Sequence, residues 1–292
     1  MTDLAAPPLA LLPGLAPLAS RYAGLVCDVW GVLHDGLVAY PAAVDALKRF
    51  RRETGNPVML LTNAPRRAED VARQIARFGV PRDAYDGIVS SGDATRRLVA
   101  ASGAKSVLYI GPDRDRALLA GLDIDFVEAG AEIIVCTGPF DDDIDVPEDY
   151  RERFEAHVAA GLPFYCANPD LVVERGSRLV YCAGALAALY EALGGTTIII
   201  GKPHRPVYDV TMAHLAERAG RTLDPAEVLA IGDAIVTDAK GASDFGLDLL
   251  FVTGGIHAAD FGPPDAPNLA AVRTRLAAAG VSAVGAMPKL AW

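Results

Sequence analysis

The sequence predicts an α/β fold in which a parallel sheet is packed between helices and a second α/β unit is inserted into it. Three observations predict it. Short apolar runs at 25–30, 57–63, 88–92, 227–231 and 249–252 alternate with helical patterns. Most of these runs end in glycine or polar residues, as strands do where a parallel sheet meets its loops. Between 94 and 183 the alternation restarts with strand-like runs of its own at 106–110, 124–127, 132–137 and 162–166.

Residues before about Ser20 read as a loose lead-in with a short helix at 15–22. The first strand, 25–30, breaks at Gly31 and is followed by a helix over 42–53 that Gly55 closes. The run 57–63 leads into Pro65, which suits the first turn of a helix over 66–78. Strand, helix and strand in this order make a βαβ unit with parallel strands. A third strand, 88–92, precedes a helix from Asp93. After the inserted unit come a helix over 185–193, a strand at 196–200 and a helix over 206–219. The strand 227–231, a helix over 238–245 and the strand 249–252 complete the chain. The expected division is a core of 1–93 and 184–292 with an insert of 94–183.

Composition narrows the function classes. Thirty-seven acidic residues against 27 Lys and Arg, with no basic stretch, argue against a nucleic-acid or anionic-membrane partner. Cys27, Cys136, Cys166 and Cys182 stand singly in apolar runs without metal-ligand spacing, so they read as reduced core residues. Pro7, Pro8, Pro13 and Pro17 break the apolar N-terminus, and Asp3 stands where a signal peptide would be basic. No apolar run is long enough for a bilayer. A soluble, cytoplasmic protein is expected. The acidic run 141–145 reads as a solvated loop leading into a helix start rather than a cation site.

Four strand ends carry chemistry: Asp28, Thr62-Asn63, Lys202, and Asp233 with Asp238. A parallel sheet gathers such ends along one edge. Together they suit phosphoryl transfer through an aspartyl-phosphate. Asp28 is the candidate nucleophile, and Asp28 with Asp233 would hold Mg²⁺, a cation satisfied by one or two carboxylates plus phosphate and water. Thr62 and the amides of the following helix start would cradle phosphate oxygens, with Asn63 beside them. Lys202 would keep Asp28 ionised.

At these residues the chain resembles the haloacid dehalogenase superfamily, in particular its class IIA, NagD-like and pyridoxal-phosphate-phosphatase-like branch. The stretches that carry the resemblance are Asp28-Val29-Trp30-Gly31-Val32-Leu33 with Asp35-Gly36, and Leu61-Thr62-Asn63. Asn168-Pro169-Asp170, Gly201-Lys202-Pro203 and Gly232-Asp233 with Thr237-Asp238 complete the set. The resemblance implies a Rossmann-like core with an inserted α/β cap and Mg²⁺-dependent hydrolysis of a small phosphorylated metabolite. It also implies a metal contact from the Trp30 carbonyl, Asp170 facing the site, and a homodimer formed through the cap.

One position departs from the pattern. Phosphatases of this superfamily place a second Asp two residues after the nucleophile as general acid and base, and here that residue is Trp30. Indole has no titratable proton near neutral pH. His34 and Asp35, in the same turn, are candidate replacements, against a simpler reading as turn residues. Two other functions follow from the departure: a phosphate-binding protein without turnover, and, more weakly, a dehalogenase.

Overall fold

The computed structural model of the chain describes residues 9–175 and 178–292. The start of the lead-in, with Asp3, Pro7 and Pro8, lies outside them. The chain opens the main sheet with β1 (Gly24–Cys27), β2 (Val58–Thr62) and β3 (Gly87–Ser90). It then builds a second sheet from β4 (Ser106–Ile110), β5 (Asp125–Phe126), β6 (Ile133–Cys136) and β7 (Phe164–Cys166). An antiparallel hairpin of β8 (Val172–Arg175) and β9 (Arg178–Tyr181) follows. Next comes β10 (Thr197–Ile199), and the chain returns to the main sheet with β11 (Val228–Gly232), β12 (Asp248–Val252) and β13 (Gly285–Met287). The main sheet runs β13-β12-β11-β1-β2-β3 and the second β10-β7-β6-β4-β5, both parallel.

Burial explains why the main strands read as unbroken apolar runs. β1, β2 and β11 are buried along their whole length. Alternate residues serve opposite faces: Leu25 and Cys27 pack with Leu47, Phe50 and Ile75, while Val26 packs with Val207, Tyr208 and Leu215. Helices cover both faces, as a parallel sheet requires. The helix Pro41–Thr54 starts with proline at its first position and ends at Gly55, whose φ of 75° closes the last turn.

The strand read from the sequence at 196–200 belongs elsewhere. Its register pairs Thr197 with Phe164 and Ile199 with Cys166, so it is an edge of the second sheet and not of the core. The helix Ala183–Ala192 goes with it: Leu186, Ala187 and Tyr190 are buried against Phe154 and Phe164. The second sheet therefore reaches past residue 183 to Ile199. A short apolar strand looks alike in either sheet, and only its partners decide. The hairpin β8–β9 and the strand β13 were not anticipated either.

The second sheet has a core of its own, in which Phe154 lies edge-on to Tyr190 at 5.3 Å and to Phe164 at 5.7 Å between ring centres. Phe154 is fully buried. Phe154→Ala should therefore cost about 3–5 kcal/mol in urea denaturation, because the surrounding rings cannot close the cavity. A loss under about 1 kcal/mol would mean that this core is not packed as described.

Candidate active site

Parallel order sets β1 between β11 and β2, so three strand ends open on one edge. Asp28 follows β1, Thr62 ends β2, and Asp233 follows β11. Lys202 follows β10 of the second sheet and reaches across to them. Its ammonium lies 2.5 Å from Asp28 Oδ1 and 2.6 Å from Asp238 Oδ1. All four residues are buried, Lys202 at 3 % exposure.

Each member is held by further bonds. Asn63 accepts from the Lys202 backbone N–H at 2.7 Å, and its amide donates to Asp170 Oδ1 at 2.9 Å. Asp238 sits in a single wide turn, Ile235–Ala239, of π-helical width. Its Oδ2 accepts from the backbone N–H of Asp233 (3.2 Å) and Ala234 (3.1 Å). Asp233 Oδ2 accepts from Ile256 N–H at 2.8 Å. Thr62 Oγ1 accepts from the Ala64 amide at 3.2 Å. Gly31 has φ 86°, and a Cβ there would stand 2.3 Å from Asp233 Oδ2, so only glycine lets this turn pass so close to the carboxylate.

The electrostatics are crowded. Burial, and then the Asp238 charge, push the Asp28 carboxyl up to about 7 against the pull of Lys202. Burial followed by Asp28 and Asp238 raises Asp233 well above the carboxylate range. Burial alone would strip the proton from Lys202, but Asp238, Asp28 and Asp170 outweigh it and hold the ammonium charged. Asp170 is itself raised, mainly by burial. Four carboxylates thus share one ammonium, a set that accommodates a divalent cation. Oxygens of Asp28, Asp233 and Asp238 all lie within 4.8 Å of one another. Asp238 is bound to Lys202 and two amides, whereas Asp28 and Asp233 each have one oxygen without a hydrogen bond among the described residues.

These groups face a cleft of about 350 Å³ between the main sheet and the second sheet. Its walls include Thr62, Asn63, Asp170, Trp30 and the hairpin residues Val173, Glu174 and Arg175. Asp238 does not reach the surface of the cleft, since it stands behind Lys202. Trp30 turns its indole N–H toward the hairpin, where it donates to the Glu174 carbonyl. The ring is seated edge-on to His34 at 5.3 Å between centres, and a Cβ on Gly36 would stand 2.5 Å from it.

The two candidate replacements for an acid–base group turn out differently engaged. His34 is 2 % exposed, its Nδ1 accepts from Gly36 N–H at 2.9 Å, and burial pushes its imidazole down to about 4. It supports the turn as a neutral ring. Asp35 is bonded through Oδ1 to the amides of Leu37 and Val38, both at 2.9 Å, as a turn carboxylate does.

Residues that sequence reasoning missed lie on both units. Arg66, in the loop after β2, pairs with the buried Asp115 at 2.6 Å. Within the acidic run, Asp142 is not solvated: its side chain is 11 % exposed and is clasped by Arg114 and Arg175. The rest of the run is exposed or half-exposed, and Pro147–Tyr150 begins the following helix as the acidic pattern implied. All four cysteines are free and buried. Among the described residues no helix is long and apolar enough to cross a membrane.

Residues 25–125 match the haloacid dehalogenase-like hydrolase family, and 199–279 match the HAD-hydrolase-like family. A crystal structure of a haloacid dehalogenase-like hydrolase from Brucella suis is 44 % identical with a TM-score of 0.85, over 96 % of this chain and 100 % of that one. The chain belongs to the haloacid dehalogenase family. Within it, this hydrolase has the two-sheet architecture of the NagD-like class IIA branch, the second sheet being the cap. It is 27 % identical to the ribonucleotide monophosphatase NagD of Escherichia coli, over 81 % of this chain and 89 % of NagD. It is 26 % identical to a D-glycerol 3-phosphate phosphatase of Mycobacterium tuberculosis, over 83 % of this chain and 66 % of that protein.

His34 gives this site a pH signature. The folded ring stays neutral while the unfolded chain's histidine takes a proton below its ordinary value of 6.5. Its contribution is therefore complete above pH 6.5 and is lost as pH falls toward 4. Between about pH 7 and about pH 5 the wild type should lose about 2 kcal/mol more stability in urea than His34→Gln. Equal losses would show that His34 is not held neutral.

Proposed function

We propose that this hydrolase is a Mg²⁺-dependent phosphatase of small phosphate esters that works through an aspartyl-phosphate on Asp28. The observation that carries the proposal is the buried Asp28 carboxylate bonded to Lys202, with Asp233 beside it and the cleft open to both. Two relatives named as phosphatases of different substrates support the reaction class without fixing the ester. Asp28 and Asp233, with the Trp30 carbonyl next to them in the chain, are the groups that would hold the cation. Bound there, Mg²⁺ would neutralise carboxylate and phosphate charge and orient the phosphorus for attack.

In the first step an Asp28 oxygen bonds to phosphorus, the P–O ester bond breaks, and the leaving alkoxide takes a proton from water. Lys202 favours the ionised form of the attacking carboxylate and so opposes the effect of its burial. Thr62 and the amides after it are placed to hold the phosphoryl oxygens. In the second step water bonds to phosphorus and the bond to Asp28 breaks. Inorganic phosphate leaves, the water's proton passes to solvent, and the Asp28 carboxylate returns.

Trp30 makes that second step the slow one. No titratable side chain occupies its position, its indole N–H is committed to Glu174, and His34 stays neutral in the turn. A missing general acid–base forfeits about 10²–10⁴-fold. The same commitment of Trp30 favours a second reading, a protein that binds phosphate esters without turning them over. Carbon–halogen displacement needs no cation and leaves the crowding of Asp28, Asp233 and Asp238 without a purpose.

p-Nitrophenyl phosphate separates the readings. Hydrolysis should appear with Mg²⁺, stop with chelator, vanish in Asp28→Asn, and fall at least about 100-fold in Asp233→Asn. Binding of the ester with no release of nitrophenol in Mg²⁺ would favour the binder.

A further inference from the structure

We propose that the cleft carries a second anion-binding subsite, formed by Arg114 and Arg175 around Asp142, for a distal carboxylate or phosphate of the substrate. It rests on the phosphate-ester reading above and names the kind of ester. Both arginines line the same cleft as Asp28 and Lys202. Neither makes a hydrogen bond or ion pair with Asp28, Asp233 or Lys202. The cleft wall also carries apolar side chains, among them Val71, Ile75 and Val173, beside polar ones such as Gln74 and Asn168. A molecule reaching from Lys202 to the arginines would carry an anionic group at each end.

Both guanidiniums share the carboxylates they bind. Arg175 Nη2 lies 2.5 Å from Asp142 Oδ2 and its Nη1 3.3 Å from Oδ1. Arg114 Nη1 lies 3.3 Å from the same Oδ1, and its Nη2 bonds Oδ2. One carboxylate thus answers two guanidiniums. The other acids nearby are exposed or shared: Asp141 and Asp143, both exposed, each have an oxygen within 4.8 Å of Asp142. Asp115 is taken by Arg66 at 2.6 Å and stands 3.8 Å from Arg114 Nε. Asp143 is shared between Arg175 and Arg178, where water screens the pairs. Glu174, the residue before Arg175, lines the same cleft and has Tyr40 within reach of its charge. Neither Arg114 nor Arg175 uses its Nε–H in a hydrogen bond among the described residues. The guanidiniums are 46 % and 31 % exposed, so a ligand can reach them. A planar fork with free donors is suited to carboxylate or phosphate oxygens.

Arg175 stands where it does because of Trp30. The indole N–H bonds the carbonyl of Glu174, the residue before Arg175, and so ties the hairpin to the turn that carries Asp28. Trp30 is here a positioning residue. The position that would otherwise supply a proton instead fixes the distance between the two ends of the substrate.

Calorimetry on Asp28→Asn protein in Mg²⁺, which binds without turnover, tests the subsite. The ligands are phenyl phosphate, 4-carboxyphenyl phosphate and 1,4-phenylene bisphosphate. One or both doubly anionic esters should bind roughly tenfold more tightly than phenyl phosphate, and which of them gains says whether carboxylate or phosphate fits. Adding Arg175→Met should erase that advantage and leave phenyl phosphate unchanged, which also shows that the variant is folded. Trp30→Phe, which keeps a ring but loses the N–H, should reduce the advantage in the same way. Equal affinity for all three esters would overturn the subsite alone, as would an advantage that survives Arg114→Met with Arg175→Met. If no ester binds, the phosphate reading falls and the subsite with it.

Discussion

A single buried ammonium, Lys202 Nζ, lies between Asp28 and Asp238, and much of the surrounding structure serves that contact. Removing one partner of a buried pair costs about 3–5 kcal/mol, since the other charge is left without compensation. The fold supports it from three sides. Asn63, at the end of β2, holds the Lys202 backbone through its side-chain carbonyl. The wide turn after β11 aims Asp238 at the ammonium while binding its other oxygen to two amides. β1 delivers Asp28 between them. Because Lys202 follows a strand of the cap sheet, the same contact that shifts the Asp28 carboxyl also joins cap to core.

Trp30 ties the turn after β1 to the cap hairpin. Its ring is wedged between Gly36 and His34, and its one donor goes to the cap hairpin. A carboxylate in that place could shuttle protons but could not donate to a carbonyl when ionised. The indole bond gives core and cap a second point of attachment. Arg66 with Asp115 is a third. These contacts close one cleft from both sides, so its shape depends on how the cap sits.

The sequence made the catalytic edge legible because a parallel sheet buried on both faces leaves unbroken apolar runs that stop at the ligand rim. Asp28, Thr62 and Asp233 could be named from that rule, whereas Lys202 was grouped with them although its strand lies in the second sheet. Thr197–Ile199 was misplaced for the same reason: an apolar strand carries no mark of which sheet it joins, and its register to Phe164–Cys166 is a tertiary fact. The hairpin β8–β9 had a signal that was passed over, Gly176-Ser177 between two runs rich in valine, leucine and tyrosine. Asp142 had none. Six acids within 141–149 look equally solvated, and the arginines that cover one of them lie 28 and 33 residues away. The Trp30 bond spans 144 residues and was likewise out of reach of local pattern.

The central claim is that Asp28 becomes phosphorylated and that Trp30 leaves the phosphoenzyme slow to hydrolyse. Rapid-quench kinetics with an aryl phosphate in Mg²⁺ tests it most directly. The account predicts a burst of phenol near one equivalent, acid-stable phosphate on Asp28 during the steady state, and neither in Asp28→Asn. Trp30→Asp should raise the steady-state rate and shrink the burst, by up to about 10²–10⁴-fold in rate where the new carboxylate reaches water. A wild type with no burst and no phosphoenzyme, and a folded Trp30→Asp with no gain, would contradict it.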